Sequence, residues 1–254
     1  MMQDRGYEKS ARFYDLFDAK DNVGFFGHYA LQVQAHTPGA EILDVGAGSG
    51  RIAIPLAERG VCLACVEPSP AMCAQFQARL DARPALRGRI ALVAGDAASF
   101  DLGRTFPAAF LSGTYDHFMD RAERLAALQN ISRHLQPGGI LVFDVFLGLM
   151  RDAPLSPAGC VQVGEWEYRR FVSTRVHPDR TIEVTLVYEV RQGGVLQERV
   201  EQRSMAAMTD RAEVHRVLAE ACFSVRREFS DYAFTPYQEG DALLVVEAVW
   251  QRAC

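Results

Sequence analysis

Lysine is almost missing from this 254-residue chain. Lys9 and Lys20 are the only two, and arginine supplies every other formal positive charge. The net charge of −5 leaves no basic surplus to neutralise phosphates, which argues against a nucleic-acid partner. Long apolar runs are absent too. None approaches the roughly 18–20 residues that a spanning helix needs. The opening stretch MMQDRGYEKSARFYDLF has neither the apolar core nor the small-residue cleavage site of a signal peptide. No membrane partner and a cytoplasmic location are therefore expected. No GxxxxGK[ST] occurs, which excludes a phosphate-cradling P-loop.

The cysteines stand at 62, 65, 73, 160, 222 and 254. Cys62 and Cys65 form a CxxC, but a second CxxC and a neighbouring histidine pair are both missing. They lie in the apolar run GVCLACVEP, so reduced, packed thiols and no metal are the expectation.

What is present is a core. Apolar residues make up 49% of the chain and charged residues 23%, enough to bury a substantial interior. From residue 41, short apolar runs alternate with helix-like stretches. Strands are expected at 41–45, 61–67, 89–96, 107–113 and 140–146, with helices over 50–59, from Pro70 to about Leu80, and over 120–135. In the last of these Leu125, Leu128, Ile131 and Leu135 share one face. Apolar strands alternating with helices predict a mostly parallel sheet covered on both faces.

After residue 146 the rhythm changes. LGLMRDAPLSPAGC reads as loop, and β-rich segments follow at 163–176, 181–191 and 194–207, separated by HPDR and QGG turns. Residues 209–223 return to helix behind a Thr cap, and two strands close the chain. The first 40 residues read as helical and rich in aromatics. The expected organisation is a helical cover (1–40), an α/β core (41–146), an antiparallel β insertion (147–207) and a terminal helix with two strands completing the core sheet (208–254).

The stretch EILDVGAGSGRIAIPLAERG, residues 41–60, is a strand feeding a glycine turn and a helix. Bare backbone lets a ligand approach, and a helix N-terminus offers unpaired N–H groups. Gly46, Gly48 and Gly50 give GxGxG, with Arg51 where a dinucleotide fingerprint has its third glycine. Asp44 stands just ahead of them, where a carboxylate would sit poorly beside a pyrophosphate. The pattern favours a positively charged ligand without phosphate over a nicotinamide dinucleotide.

LDVGAGSG, with Glu67 ending the second strand and Gly95-Asp96 before Ala97, resembles class I S-adenosylmethionine-dependent methyltransferases. The likeness is strong over about 41–146 and implies a Rossmann-like α/β fold, with a seven-stranded, mostly parallel sheet, helices on both faces and a small antiparallel insertion. It implies that Gly46, Ala47, Gly48 and Gly50 pass under the methionine part of the cofactor, with Asp44 fixing that end. Glu67 would accept both ribose hydroxyls, Pro68 and Met72 would flank the adenine, and Asp96 beside Ala97 would receive the adenine amino group. Ser112 would lie beside the methyl donor.

SGTYDHFMD (112–120) resembles the SFxHL loop of small-molecule N-methyltransferases of the amino-sugar and glycine/sarcosine types. That makes His117 the candidate for orienting or deprotonating an amine. Tyr14, in YEKSARFYDLF, resembles the segment covering the cofactor in the same enzymes, and its hydroxyl could hold a carboxylate. No (D/N/S)PP(Y/F) motif follows the fourth strand, and Asp144-Val145 stands where metal-dependent catechol-type enzymes carry Asp-Asn. Trp166, Tyr168, Arg169 and Arg170 alternate as strand faces do and would line an acceptor pocket or a homodimer surface. Tyr232 and Tyr237 are expected near the pocket mouth.

The resemblance thus implies methyl transfer from S-adenosylmethionine, leaving S-adenosylhomocysteine, to the amine of a small metabolite. Transfer to a small-molecule hydroxyl or carboxylate, or to a peptide N-terminus, is the alternative.

Overall fold

A computed structural model describes residues 7–17, 22–148 and 150–251. Lys20 and Cys254 lie outside the described residues. The elements are α1 (Ala11–Phe17), α2 (Val23–His36), β1 (Glu41–Val45), α3 (Ala53–Glu58), β2 (Cys62–Glu67), α4 (Pro70–Asp81), β3 (Ile90–Ala94), β4 (Phe106–Leu111), α5 (Arg121–Arg133) and β5 (Leu135–Phe146). They continue with β6 (Ala153–Val163), β7 (Trp166–Val176), β8 (Thr181–Gln192), β9 (Val195–Ala207), α6 (Arg211–Glu220), β10 (Phe223–Phe229) and β11 (Leu243–Trp250).

Seven strands form one sheet in the order β10-β11-β5-β4-β1-β2-β3, with β11 antiparallel to both neighbours and the other pairs parallel. The fold is Rossmann-like. β1 and β4 are buried along nearly their whole length because helices cover both faces. On one face Leu128 and Ile131 of α5 and Val214, Val217 and Leu218 of α6 are fully buried. On the other, Phe25, Phe26 and Tyr29 of α2 join Leu56 of α3 and Phe76 of α4. Each such side chain contributes roughly 1.5–3 kcal/mol on leaving water.

Local signals set the helix starts. Ser69 caps α4, accepting from Met72 N at 3.4 Å, with Pro70 in the first turn. Asp120 caps α5, accepting from Glu123 N at 2.8 Å. α6 departs from expectation. Asp210, not Thr209, is its cap, accepting from Glu213 N at 2.8 Å, while Thr209 Oγ1 takes a long bond from Arg124. Leu135 departs as well, beginning β5 and not ending the helix.

The second sheet has four antiparallel strands, in the order β6-β7-β8-β9. β6 is the strand that the loop-like stretch conceals. Pro154 and Pro157 lack the N–H that a central strand must donate, and β6 accommodates them as an edge strand with two register shifts. Phe13 of α1 stacks on Tyr188 of β8 with ring centroids 4.7 Å apart, joining this sheet to the N-terminal segment. Cys62, Cys65, Cys73 and Cys160 are free thiols, and burial pushes Cys65 well above the usual range. Cys222 is disulfide-bonded. Among the described residues no helix is long and apolar enough to cross a membrane.

Candidate functional site

The chain leaves β1 towards β2 and β3, then returns to place β4 on the other side of β1. This reversal opens a crevice at the carboxyl ends of the strands. A cleft of about 700 Å3, its open mouth included, lies there. The ends of β1, β2 and β4 and the turn after β3 each contribute to its wall.

The Glu67 carboxylate is buried and fixed by backbone. Its Oε2 accepts from Gly48 N at 2.8 Å and its Oε1 from Ser69 N at 2.9 Å. Pro68 and Met72 border the same side of the cleft. Beyond them Asp96 Oδ1 accepts from Ala98 N at 2.9 Å. Buried Asn130 supports this turn from behind, donating to Ala97 O at 3.1 Å and Phe100 O at 3.0 Å.

The glycines have different tasks. Gly46 (φ +72°) and Gly48 (φ +57°) line the cleft. A Cβ on Gly46 would stand 2.2 Å from Thr114 Oγ1, so β1 and the loop after β4 meet only because it is bare. Nothing lies within 4 Å of a Cβ on Gly48, which borders open space. Gly50 faces away, and its Cβ would stand 2.3 Å from the Phe76 ring of α4.

Asp44 sits beneath this turn, 2% exposed, and its Oδ2 has no hydrogen-bond partner among the described residues. Burial, reinforced by the nearby Glu67 charge and opposed by Arg51, pushes its carboxyl up to about 7.

The opposite wall is aromatic. Tyr7 OH lies 3.1 Å from His117 Nε2. The Tyr7 ring meets both Tyr14 and His117 edge-on at 6.0 Å. α1, which carries Tyr14, is tied to the glycine turn through Asp15, whose carboxylate accepts from Ser49 Oγ at 2.7 Å and Arg79 at 2.9 Å.

Of the residues singled out from sequence, Tyr14, Gly46, Gly48, Glu67, Pro68, Met72, Asp96, Ala97, Ser112 and His117 line the cleft together. Asp44, Ala47 and Gly50 do not reach its surface; Ala47 is buried in the core. Tyr7, Ser69, Gly113, Thr114 and Phe118 line it in addition. Ser69 was readable as a cap before Pro70, Thr114 and Phe118 lie in the SGTYDHFMD loop, and Tyr7 opens the YEKSARFYDLF segment. Tyr115 turns into the core, its ring stacked on Phe143 at 5.1 Å.

Trp166, Tyr168, Arg169 and Arg170 do not border the cleft. Tyr168 packs near Phe13, Arg169 pairs with Glu167, and Arg170 lies over the Phe17 ring. Tyr232 and Tyr237 are not at the mouth either. Tyr232 is hydrogen-bonded to Asp144 and Tyr237 packs under Arg211. Among the described residues no group of His, Cys, Asp and Glu side chains could hold a metal ion.

Residues 42–139 match a family described as a methyltransferase domain. A segment of 141 residues is 32% identical to the cypemycin N-terminal methyltransferase of a Streptomyces species, covering 54% of each chain. The chain spans about half the length of the curated relatives it matches. Two solved structures align over almost the whole chain, each at 25% identity. One is CalS10, an amino pentose methyltransferase of Micromonospora echinaspora solved with S-adenosylmethionine bound (TM-score 0.72, covering 94% of this chain and 95% of that one). The other is the sugar N-methyltransferase KedS8 of a Streptoalloteichus species (TM-score 0.73, covering 94% and 93%).

Proposed function

We propose, from the premise that the chain carries a methyltransferase domain over residues 42–139, that it is an S-adenosylmethionine-dependent enzyme that methylates an amine nitrogen of a small metabolite. The observation that carries this reading is the cleft itself. Two carboxylates held by backbone, a bare glycine turn and a His–Tyr pair face one space at the sheet's switch point.

The residues fit that cofactor. Backbone N–H groups hold the Glu67 carboxylate at both oxygens, and a carboxylate fixed in this way suits two adjacent ribose hydroxyls. Pro68 and Met72 would offer apolar faces to the adenine, and Asp96 would accept from its amino group. Gly46 and Gly48 lie under the methionine part. A cationic ligand in the cleft would favour the charged form of the Asp44 carboxyl buried beneath the glycine turn.

S-adenosylmethionine supplies a methyl group already activated by its sulfonium. The protein therefore aligns the acceptor and excludes water, and positioning alone supplies on the order of 7–11 kcal/mol. The acceptor nitrogen must present its lone pair, and the His117 imidazole, with Nε2 3.1 Å from Tyr7 OH, is the group we assign to take its proton. Tyr14 lies beside Tyr7 and completes the cover over the acceptor.

A peptide N-terminal amine is a second acceptor of the same chemistry, favoured by the 32% identity to a peptide N-terminal methyltransferase. Purified protein would be incubated with methyl-labelled S-adenosylmethionine and separate pools of amino sugars, other amines, short peptides, phenols and carboxylates. Label in an amino-sugar or small-amine pool is expected. Label confined to peptides would favour the second reading, and label only in phenols or carboxylates would overturn transfer to nitrogen.

A further inference from the structure

Behind the cleft wall lies a set of buried polar groups that the reaction described above leaves unused. Asp144, on β5 and 4% exposed, receives three donors. Gly113 N donates to Oδ1 at 2.5 Å, while Ser112 Oγ at 3.1 Å and Tyr232 OH at 2.7 Å donate to Oδ2. From the other side fully buried Asn22, which makes no cap bond to α2, donates through Nδ2 to Ser112 Oγ at 2.8 Å. The Asn22 Oδ1 in turn accepts from Arg51 at 2.6 Å. Arg51 follows the glycine turn, Asn22 opens α2 and Tyr232 belongs to the segment between β10 and β11. Tyr232 bonds the carboxylate directly, Asn22 reaches it through Ser112, and Arg51 joins the set through Asn22.

Ser112 and Gly113 are the members of this set that line the cleft. We propose that Tyr232, Asp144 and Asn22 are positioning residues for methyl transfer, which lock Ser112 and Gly113 in place and fix the polarity of that wall. The inference rests on the methyltransferase reading.

Two physical consequences follow. The single Ser112 hydroxyl proton is committed to Asp144, so Ser112 faces the cleft only as a hydrogen-bond acceptor, which suits a ligand bearing N–H groups. Gly113, at φ +62°, is a loop residue whose amide would otherwise face water. Its bond to a buried carboxylate converts a mobile turn into a fixed wall. Burial, and then the Asp144 charge, hold the Tyr232 hydroxyl above the ordinary phenol range, so it remains a donor throughout the working pH range.

The test compares Tyr232→Phe with Tyr29→Phe. The second removes a chemically equivalent bond, Tyr29 OH to the buried Glu247 carboxylate at 2.9 Å, which touches neither Ser112 nor Gly113. Amide hydrogen exchange over residues 111–115 is expected to quicken at least tenfold in Tyr232→Phe and to stay unchanged in Tyr29→Phe. With an acceptor in hand, kcat of Tyr232→Phe is expected to fall about tenfold, with cofactor Kd and acceptor KM within twofold of wild type. Unchanged exchange over 111–115 in Tyr232→Phe would overturn the proposal. So would equal losses in both variants, which would mark the bond as merely structural. If wild-type protein transfers no methyl to any acceptor, the methyltransferase reading fails by itself, and the exchange arm still decides whether this lock exists.

Discussion

The hydroxyl of Tyr7 lies 3.1 Å from Nε2 of His117, across 110 residues of sequence. The N-terminal segment therefore contacts the one cleft side chain, among the described residues, whose ordinary pKa lies near neutrality. Under the proposed function, this contact links the N-terminal segment to the group proposed to take the proton.

His117→Ala is expected to lower kcat by about 100-fold or more, within the range typical of a lost acid–base group. Tyr7→Phe, which keeps the ring and removes only the hydroxyl, should lower it about tenfold. Both should bind the cofactor within about threefold of wild type by calorimetry. A His117→Ala enzyme working at wild-type rate would remove the histidine from the chemistry.

Asp44 predicts a pH dependence. Its folded-state carboxyl is raised from 3.8 to about 7, burial being the larger cause and Glu67 the lesser. A raised carboxylate favours the protonated folded protein, so ligand-free stability declines as pH rises from about 4 to about 7 and is flat above that. The cost above pH 7 is on the order of a few kcal/mol. Asp44→Asn should therefore raise the ligand-free Tm at pH 8 and leave it nearly unchanged at pH 4. Cofactor binding, which brings positive charge, should release a proton below pH 7, seen as a dependence of binding enthalpy on buffer ionisation. A Tm gain independent of pH would sink this account.

Gly48 and Gly50 should fail differently. At Gly50 a methyl meets the Phe76 ring at 2.3 Å and φ is +79°, so Gly50→Ala should cost about 2–3 kcal/mol of stability. Gly48→Ala has room, and φ of +57° costs about 1–2 kcal/mol, but its methyl occupies the cleft. Its cofactor Kd should rise at least tenfold. Denaturation and binding curves separate the two, and equal effects of both variants on Kd would contradict the assignment.

The main sheet was legible because β1, β2, β4 and β5 are apolar on both faces and α4, α5 and α6 carry caps, signals that operate within ten residues. The glycine turn, Glu67 and Asp96 were legible for a similar reason: a strand end and the turn after it form one short local unit. β6 was not, because prolines forbid a central strand and leave an edge strand open, and only pairing with β7, which sets Pro157 opposite Phe171, decides between edge and loop.

The sequence by itself determined the α/β architecture, which follows from periodicity, while the glycine turn, Glu67 and Asp96 were read from the resemblance of short local segments to a known family. Tertiary structure alone decided that Gly50 serves packing, that Tyr115 and Tyr232 point inward, and that Tyr7 meets His117. Those facts depend on which side chain fills a space between elements separated by many residues, and burial settles that choice only once the whole core has closed.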